Sequence, residues 1–292
     1  GEIGVFRTKV VVDTVEDPDT EISLEDAKEI DDEVEVDDEV KIEVTPEQFG
    51  RIAAQTAKQI VVQRVKEAEK QSISGEFQDK DGELMVGTLS REDQKNYFVD
   101  LGRASGILPK DQIIPGEKLV MGSSVKVYVS KLELGPKGPF IMLSRSHYGF
   151  VKRLLEIEVP ELNDGTVMLY SVARDAGSRT KIAVYTEYNN VDPIGAVIGE
   201  KGRRIAAVLK ELNGEKIDVI LYDKDPVKFI TNALSPAKDI KVTIKDENKK
   251  EALAVVGDNN LSLAIGKRGQ NVKLASRLTH YKIEVKSQSA VN

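Results

Sequence analysis

A short module that occurs twice constrains the fold of this chain more than any other feature of its sequence. Each copy contains a Gly-x-x-Gly tetrapeptide, Gly199–Gly202 in the first and Gly266–Gly269 in the second. The flanks repeat as well, with an Asp or Asn seven residues before the first glycine and an Ile or Val three residues after the second: Asp192 and Ile205, then Asn259 and Val272. Two tetrapeptides that matched by chance would not share these flanks.

The sequence around each tetrapeptide predicts a turn that joins two helices. In the first copy, Asp192 and Pro193 are typical of a helix start and Gly214 is typical of a helix end. A turn built on glycines lets a ligand approach bare peptide groups, and the second helix presents its partially positive N-terminus at the same place. These features favour binding of the phosphodiester backbone of single-stranded nucleic acid.

Each module also contains strands, in the predicted order helix, strand, strand, helix, Gly-x-x-Gly, helix, strand. This order resembles the bacterial variant of the KH domain, type II. We place the first KH domain at residues 148–223 and the second at residues 224–287. In KH domains the glycine loop clamps about four nucleotides, so the resemblance implies RNA binding. A single Gly-x-x-Gly is usually only a turn, but two copies in matching frames favour RNA binding.

Cationic side chains in and after the loops are the candidate phosphate ligands. Glu200 lies in the first loop, where a carboxylate weakens contact with phosphate, so we expect the second loop to be the tighter clamp. The residues expected to bind RNA in the two copies are Gly199, Lys201, Gly202, Arg203 and Arg204, then Gly266, Lys267, Arg268, Gly269, Gln270, Asn271 and Lys273.

Residues 72–147 have a hydrophobic period of two, which predicts about five short strands that close into a small barrel. Segments such as Val99–Gly102, at the end of the predicted strand Tyr97–Leu101, and Gly106–Pro109, interpreted as turn residues between strands, resemble the oligonucleotide-binding (OB) barrel of the S1 type. That fold offers aromatic rings to bases and basic side chains to phosphates. The candidates are Tyr97, Phe98, Tyr128, Phe140 and Arg145, of which Phe98 and Arg145 are the expected RNA contacts. Alternation puts Tyr97 and Phe98 on opposite faces, so at least one of them fills the core.

The charge of the chain is concentrated at one end. Residues 1–45 contain 17 Asp and Glu against 4 Lys and Arg, a net charge of -13, whereas the whole chain carries -7. Phosphate binding needs local positive potential, so we expect an acidic segment that does not touch RNA, followed by a larger part that does. The acidic runs Asp31–Glu33 and Asp37–Glu39 are expected on a solvated loop.

A long helix is expected to follow the acidic segment. Thr45–Gln48 forms a capping box with proline at the first helical position, and the helical pattern extends to about Lys70. A helix of roughly 25 residues spans about 38 Å. It is either a strut between two domains or a surface helix of the first domain.

Composition and motifs argue against several other classes of protein. The chain contains no cysteine and two histidines, which excludes a disulfide framework and a zinc site of the usual kind. We find no P-loop, dinucleotide fingerprint, nucleophile elbow or catalytic constellation, so we expect no enzymatic activity and no cofactor. No apolar run is long enough for a membrane span, and the first residues lack a basic stretch followed by an apolar one, so no secretion signal is expected. A cytoplasmic protein is expected.

The order acidic segment, long helix, barrel, KH and KH resembles the NusA family of bacterial transcription factors over essentially the whole chain. The segments that carry this resemblance are Ile157–Glu161, Ala173–Arg179, Ile182–Val184, Asp192–Gly195 and Ala264–Val272. It implies a multidomain α+β protein: a partial α/β N-terminal polymerase-binding domain with its connecting helix at residues 1–71, an all-β barrel at 72–147 and two tandem KH domains. It also implies a factor that holds nascent RNA in pausing, termination and antitermination.

The resemblance implies several partners, namely single-stranded nascent RNA, RNA polymerase and other Nus-type factors. A membrane is not among them, and we expect a monomer. Family members begin with a helical part that precedes Gly1 here, so we expect the natural protein to begin earlier. A ribosome-associated or RNA-processing accessory protein without polymerase contact remains an alternative. In the cap of polynucleotide phosphorylase, however, one KH unit precedes the barrel, which is the opposite order.

Overall fold

The computed structural model describes residues 6–43, 51–135 and 138–291. The chain divides into two compact units, Gly1–Gln71 and Ser72–Asn292, which are described separately. The predicted capping box at Thr45–Gln48 lies outside the described residues.

The first unit contains a small α/β fold. Its elements are β1 (Phe6–Val12), β2 (Glu21–Ser23), α1 (Leu24–Lys28) and β3 (Glu39–Glu43). The sheet order is β2-β1-β3, with β1 parallel to β2 and antiparallel to β3. Ser23 caps α1 by accepting a hydrogen bond from the Asp26 amide. Asp31–Glu33 and Asp37–Glu39 are exposed, as the acidic composition predicts.

Helix α2 (Arg51–Gln78) is 28 residues long and extends further than the sequence predicts. The sequence predicts its end at about Lys70, but the helix continues for two more turns. Phe77 in these last turns is 4% exposed and packs into the core of the barrel that follows. Burial of this ring explains why the helix continues into a segment whose polar sequence lacks a clear helical pattern.

A closed five-stranded barrel follows, in the order β4-β5-β6-β8-β7, which confirms the predicted OB-like fold. Its strands are β4 (Leu84–Glu92), β5 (Asn96–Asp100), β6 (Ser105–Pro109), β7 (Ser124–Gly135) and β8 (Gly138–Ser144). The sequence interpretation of Gly106–Pro109 as a turn is wrong, because these residues belong to β6. Gly106 is needed there, since a Cβ atom would lie 2.3 Å from Leu143 Cδ1 in the barrel core.

The first KH domain begins with helix α3, which His147 caps through its Nδ1 atom. Pro160 stops α3 by starting a separate turn of helix. The elements are α3 (Tyr148–Glu158), α4 (Pro160–Asn163), β9 (Met168–Asp175), β10 (Arg179–Tyr185), α5 (Pro193–Ile198), α6 (Arg203–Glu211) and β11 (Lys216–Leu221). The sheet order is β11-β10-β9, with β10 parallel to β11 and antiparallel to β9.

The second KH domain repeats this topology, with the sheet order β12-β13-β14 and a parallel pair β13 and β14. Its elements are α7 (Pro226–Ala233), β12 (Ile240–Asp246), β13 (Glu251–Val256), α8 (Leu261–Ile265), α9 (Gln270–Thr279) and β14 (Lys282–Ser287). The predicted multidomain α+β fold with two tandem type II KH domains is therefore confirmed.

The barrel and the two KH domains share buried cores. Ile114 of the barrel is fully buried in the core of the first KH domain. Helix α9 of the second KH domain packs on the sheet of the first, where Leu274 and Leu278 join a core cluster with Ala173. The Ser171 hydroxyl also donates a hydrogen bond to the Leu278 carbonyl at 2.8 Å. The two glycine loops are consequently fixed on packed elements.

Candidate nucleic-acid interface

The two Gly-x-x-Gly loops have the same backbone conformation. In each loop the first, third and fourth residues adopt positive φ, at +76°, +52° and +75° in Gly199, Lys201 and Gly202 and at +76°, +55° and +72° in Gly266, Arg268 and Gly269. Residues with side chains rarely adopt this region, so the agreement at all three positions indicates one loop geometry used twice.

The first glycine of each loop allows the two helices to approach closely. A Cβ atom on Gly199 would lie 2.6 Å from the Cγ atom of Arg204. A Cβ atom on Gly266 would lie 2.7 Å from the backbone nitrogen of Asn271, which cannot move as easily as a side chain. Both contacts are far shorter than van der Waals distance. The first glycine is therefore required by packing as well as by backbone conformation.

The helices that follow the loops begin without a side-chain cap. Neither α6 nor α9 has a capping hydrogen bond at its N-terminus, and neither has an acidic residue in its first turn. The first amides of an uncapped helix lack intrahelical partners and carry partial positive charge. The first amide of each helix is already bonded, from Arg203 to the Glu200 carbonyl and from Gln270 to the Lys267 carbonyl, so each loop offers a phosphate chiefly the positive end of the helix dipole.

Five of the predicted cations are exposed at these helix starts. Within the described part of the chain, none of them forms an ion pair: they are Lys201 and Arg203 in the first copy and Lys267, Arg268 and Lys273 in the second. Glu200 is exposed in the first loop, whereas the second loop contains no carboxylate. The second loop itself is therefore the more positive of the two.

Two predicted RNA contacts, Arg204 and Asn271, have structural partners instead. The Arg204 guanidinium donates to Glu161 Oε2 and to the Ala196 carbonyl, both at 2.7 Å. Asn271 is 2% exposed, so it cannot reach a polymer. Its Nδ2 atom donates to three backbone carbonyls, those of Leu234, Leu263 and Ala264. The expectation of direct RNA contact is wrong for Asn271, and for Arg204 the guanidinium is already paired.

Gln270 joins the second loop to the first KH domain. Its Nε2 atom donates to Asp175 Oδ2 at 2.6 Å, at the end of β9, and to Ser178 Oγ at 2.7 Å, in the turn between β9 and β10. A cleft of about 460 Å³ opens beside this contact, lined by Asp175, Ser178, Lys267, Arg268, Gln270 and Lys273. Asp175 and Ser178 were missed as site residues, because only the fold brings this turn next to the second loop.

Arg145 does not lie on an exposed face of the barrel, contrary to the sequence prediction. It is 4% exposed, and its guanidinium donates to Glu117 Oε2 at 2.9 Å and to Glu211 Oε1 at 3.1 Å. Glu211 belongs to α6, so this ion pair ties the barrel to the first KH domain. Arg145 is therefore a structural residue.

Phe98 faces outward from the barrel, and Tyr97 packs against its core, as the alternation predicts. The guanidinium of Arg91 lies 4.0 Å from the centre of the Phe98 ring. Cross-strand pairing places Phe98 beside Ile107, Ile107 beside Met142 and Met142 beside Lys131. These residues therefore form one row around the barrel that begins at Arg91. A partly exposed aromatic ring beside apolar and cationic side chains is the surface that stacks bases and contacts phosphates.

A buried charge cluster lies at the contact between the KH domains. Lys181 is fully buried, and its Nζ atom donates to Asp218 Oδ2 at 2.9 Å and to the Ser235 carbonyl at 2.8 Å. Burial lowers the pKa of Lys181 below its ordinary value. Burial alone would raise the pKa of Asp218, but hydrogen bonds from Arg179 and Lys181 lower it overall. The cluster thus favours the charged form of Asp218.

The described residues offer neither a candidate metal site nor a candidate membrane span. No group of His, Asp and Glu side chains there could hold a metal ion. No helix within the same residues is both long and apolar enough to cross a membrane.

An OB-like barrel followed by two type II KH domains with unpaired cations at both glycine loops defines a multidomain RNA-binding protein. Models of protein families match three parts of the chain: the NusA N-terminal domain at residues 1–71, the NusA-like first KH domain at 145–222 and the NusA-like second KH domain at 226–292. The chain belongs to the NusA family, which confirms the resemblance inferred from its sequence.

Several curated relatives, each named "Transcription termination/antitermination protein NusA", match nearly the whole chain. The relative from Halalkalibacterium halodurans is 51% identical over 99% of this chain and 75% of its own length. The Bacillus subtilis relative is 51% identical over 99% of this chain and 78% of its own length. The Thermus thermophilus relative is 46% identical over 97% of this chain and 73% of its own length.

Proposed function

We propose that this chain is a non-enzymatic transcription factor that holds single-stranded nascent RNA during pausing, termination and antitermination. The observation that carries the proposal is the pair of glycine loops with one backbone conformation, each at an uncapped helix start with exposed, unpaired cations. Such a site recognises the phosphate backbone through amides, helix dipoles and point charges. The curated relatives named for termination and antitermination supply the biological context.

RNA polymerase is the proposed protein partner, and the unit at residues 1–71 is the proposed polymerase-binding part. This unit matches the NusA N-terminal domain and is strongly acidic, unlike the rest of the chain. Its negative charge disfavours contact with RNA, so the surface of this unit is the part of the chain better suited to bind a protein. Other Nus-type factors are further proposed partners, and the monomer acting in the cytoplasm is the proposed form.

Charge reversal at the second loop tests the RNA-binding part of the proposal. The variant Lys267→Asp/Arg268→Asp should bind an unstructured 12-nucleotide RNA at least about tenfold more weakly near 0.15 M salt, because two phosphate contacts are lost. The magnitude of the slope of log affinity against log salt should fall by about 1.4, since each phosphate contact with a single strand contributes about 0.7. Fluorescence anisotropy over a salt series measures both quantities.

A matched control uses two exposed lysines of the same domain, in the turn between β12 and β13. The variant Lys249→Asp/Lys250→Asp makes the same charge change at the end of β13 that lies away from α8. It should bind RNA nearly as the parent does. Equal weakening in both variants would show a general charge effect and reject the loop as the clamp.

A pull-down with core RNA polymerase tests the partner. A chain extended at its N-terminus should retain polymerase, and deletion of residues 1–71 should abolish retention without affecting RNA affinity. No retention by the extended chain would favour the ribosome-associated or RNA-processing alternative.

A further inference from the structure

The turn between β9 and β10 of the first KH domain forms one wall of a cleft whose other wall is the second glycine loop. Three exposed cations, Lys267, Arg268 and Lys273, lie on the loop side. Asp175 and Ser178 lie on the turn side, and both are exposed. The cleft of about 460 Å³ is within the range of small-ligand sites in proteins. It exists only because the two domains pack together.

The polar atoms of the cleft retain unused hydrogen-bonding capacity. Gln270 Nε2 uses both hydrogens, one on Asp175 Oδ2 and one on Ser178 Oγ. Asp175 Oδ1 and Gln270 Oε1 accept no hydrogen bond within the described part of the chain. Two acceptors therefore remain, and one belongs to a carboxylate. The Ser178 hydroxyl also keeps its hydrogen for donation.

A carboxylate in this place is unfavourable for phosphate binding alone. Asp175 carries negative charge next to three cations that would otherwise all attract phosphate oxygens. Asp175 forms no ion pair with Lys267, Arg268 or Lys273, so its carboxylate does not neutralise any of these three cations. An unneutralised carboxylate instead complements a group that donates hydrogen bonds. On RNA such groups are the exocyclic amines of the bases and the ribose hydroxyls.

We propose that the turn at Asp175 and Ser178 and the loop at Gly266–Gly269 form one composite subsite that reads a nucleobase. The cations hold the backbone phosphates, and Asp175 Oδ1 with Gln270 Oε1 accepts hydrogen bonds from the exocyclic amine of that base. Cytosine satisfies these acceptors, whereas uracil presents a carbonyl at the same ring position and repels them. This inference rests on the proposed RNA-binding function and adds base selectivity to it.

The test compares 12-nucleotide oligo(C) and oligo(U), whose bases differ at ring position 4 in offering an amine or a carbonyl. The intact chain should bind oligo(C) more tightly, because one well-placed pair discriminates by about 1–3 kcal/mol, which is roughly 5–150-fold. Asp175→Ala should weaken oligo(C) binding by about tenfold or more. The same variant should bind oligo(U) equally or more tightly, because a repulsive charge is removed.

Glu187→Ala is the matched control, since it removes an exposed carboxylate of the same KH domain outside the cleft. It should leave the ratio of the two affinities unchanged. If Asp175→Ala weakens both RNAs equally, Asp175 is only a brace between domains and the inference is wrong. If it strengthens both equally, the carboxylate only repels phosphate, and the inference is also wrong. If the intact chain binds neither RNA, the proposed function itself fails.

Discussion

Arg204 and Asn271 occupy the same position in the two KH domains, and each makes the same backbone contact. Each lies five residues after the first glycine of its loop and donates a hydrogen bond to the carbonyl three residues before that glycine. The acceptors are Ala196 in the first domain and Leu263 in the second. This position therefore braces the crossing of the two helices that present the loop. Two different side chains perform the same task.

The brace in the first domain predicts that Arg204 and Glu161 act together on RNA binding. Arg204→Ala and Glu161→Gln should both lower RNA affinity by about two- to tenfold, because both loosen the loop, and both should leave the salt slope unchanged. Anisotropy titrations at several salt concentrations measure this. If Arg204 contacted phosphate directly, Glu161→Gln would free its charge and raise affinity. Arg203→Ala, at an exposed and unpaired cation, should instead reduce the magnitude of the slope by about 0.7.

The two glycines of the second loop should differ in their tolerance of alanine. Gly269→Ala places a side chain at positive φ with only Lys273 Cε nearby at 3.7 Å, so a cost of about 1–2 kcal/mol is expected. Gly266→Ala adds a clash with the backbone nitrogen of Asn271 at 2.7 Å, which should cost about 1–3 kcal/mol more. Denaturant unfolding measures both. Equal costs would mean that the helix crossing adjusts freely.

Arg145 should matter for stability rather than for RNA. Arg145→Ala leaves Glu117, at 6% side-chain exposure, unpaired in the interior, which should cost about 3–5 kcal/mol. The double variant Arg145→Met/Glu117→Gln should recover much of this loss, because no buried charge is then left without a partner. Unfolding curves test the recovery. The RNA salt slope of the double variant should equal that of the parent, and a lower slope would restore Arg145 as a phosphate ligand.

His147 should make stability depend on pH in the mildly acidic range. Burial, together with the charge of Arg174, lowers the pKa of His147 below its ordinary value, so the folded state favours the neutral ring. Nδ1 must also stay unprotonated to accept the hydrogen bond from Gly149. The unfolded chain therefore binds the proton more readily. The stabilisation is present above about pH 6.5 and is lost as the pH falls through the lower folded-state pKa.

The substitution His147→Asn tests this effect, because asparagine also caps helices but does not titrate. The parent should lose more unfolding free energy than the variant between about pH 7.5 and pH 5. If the unfolding free energies of the parent and the variant depended on pH in the same way, the assignment of this pH dependence to His147 would be wrong.

The topology of both KH domains is predictable from the repeated sequence module, because turn glycines, helix caps and the alternation of apolar residues are local signals. The partners of buried polar side chains were not predictable in the same way. Arg145 looked like a surface cation because Glu117 and Glu211 lie far away in sequence and meet it only after the barrel packs on α6. Likewise the end of α2 depends on Phe77 reaching the barrel core, which no local pattern encodes. The burial of Asn271 depends in part on a distant partner too, because its amide donates to the Leu234 carbonyl of helix α7's C-terminus as well as to nearby carbonyls.

The packing of α9 on the first KH sheet bears on how the two loops would cooperate in the proposed RNA binding. Because a shared core and the Ser171 hydrogen bond replace a flexible tether, the distance between the loops is fixed before any strand arrives. Once one end of an RNA is held, the other end meets the second loop at a high effective concentration if its length matches that span. RNA strands too short to reach both loops should therefore bind without the added affinity of the second contact.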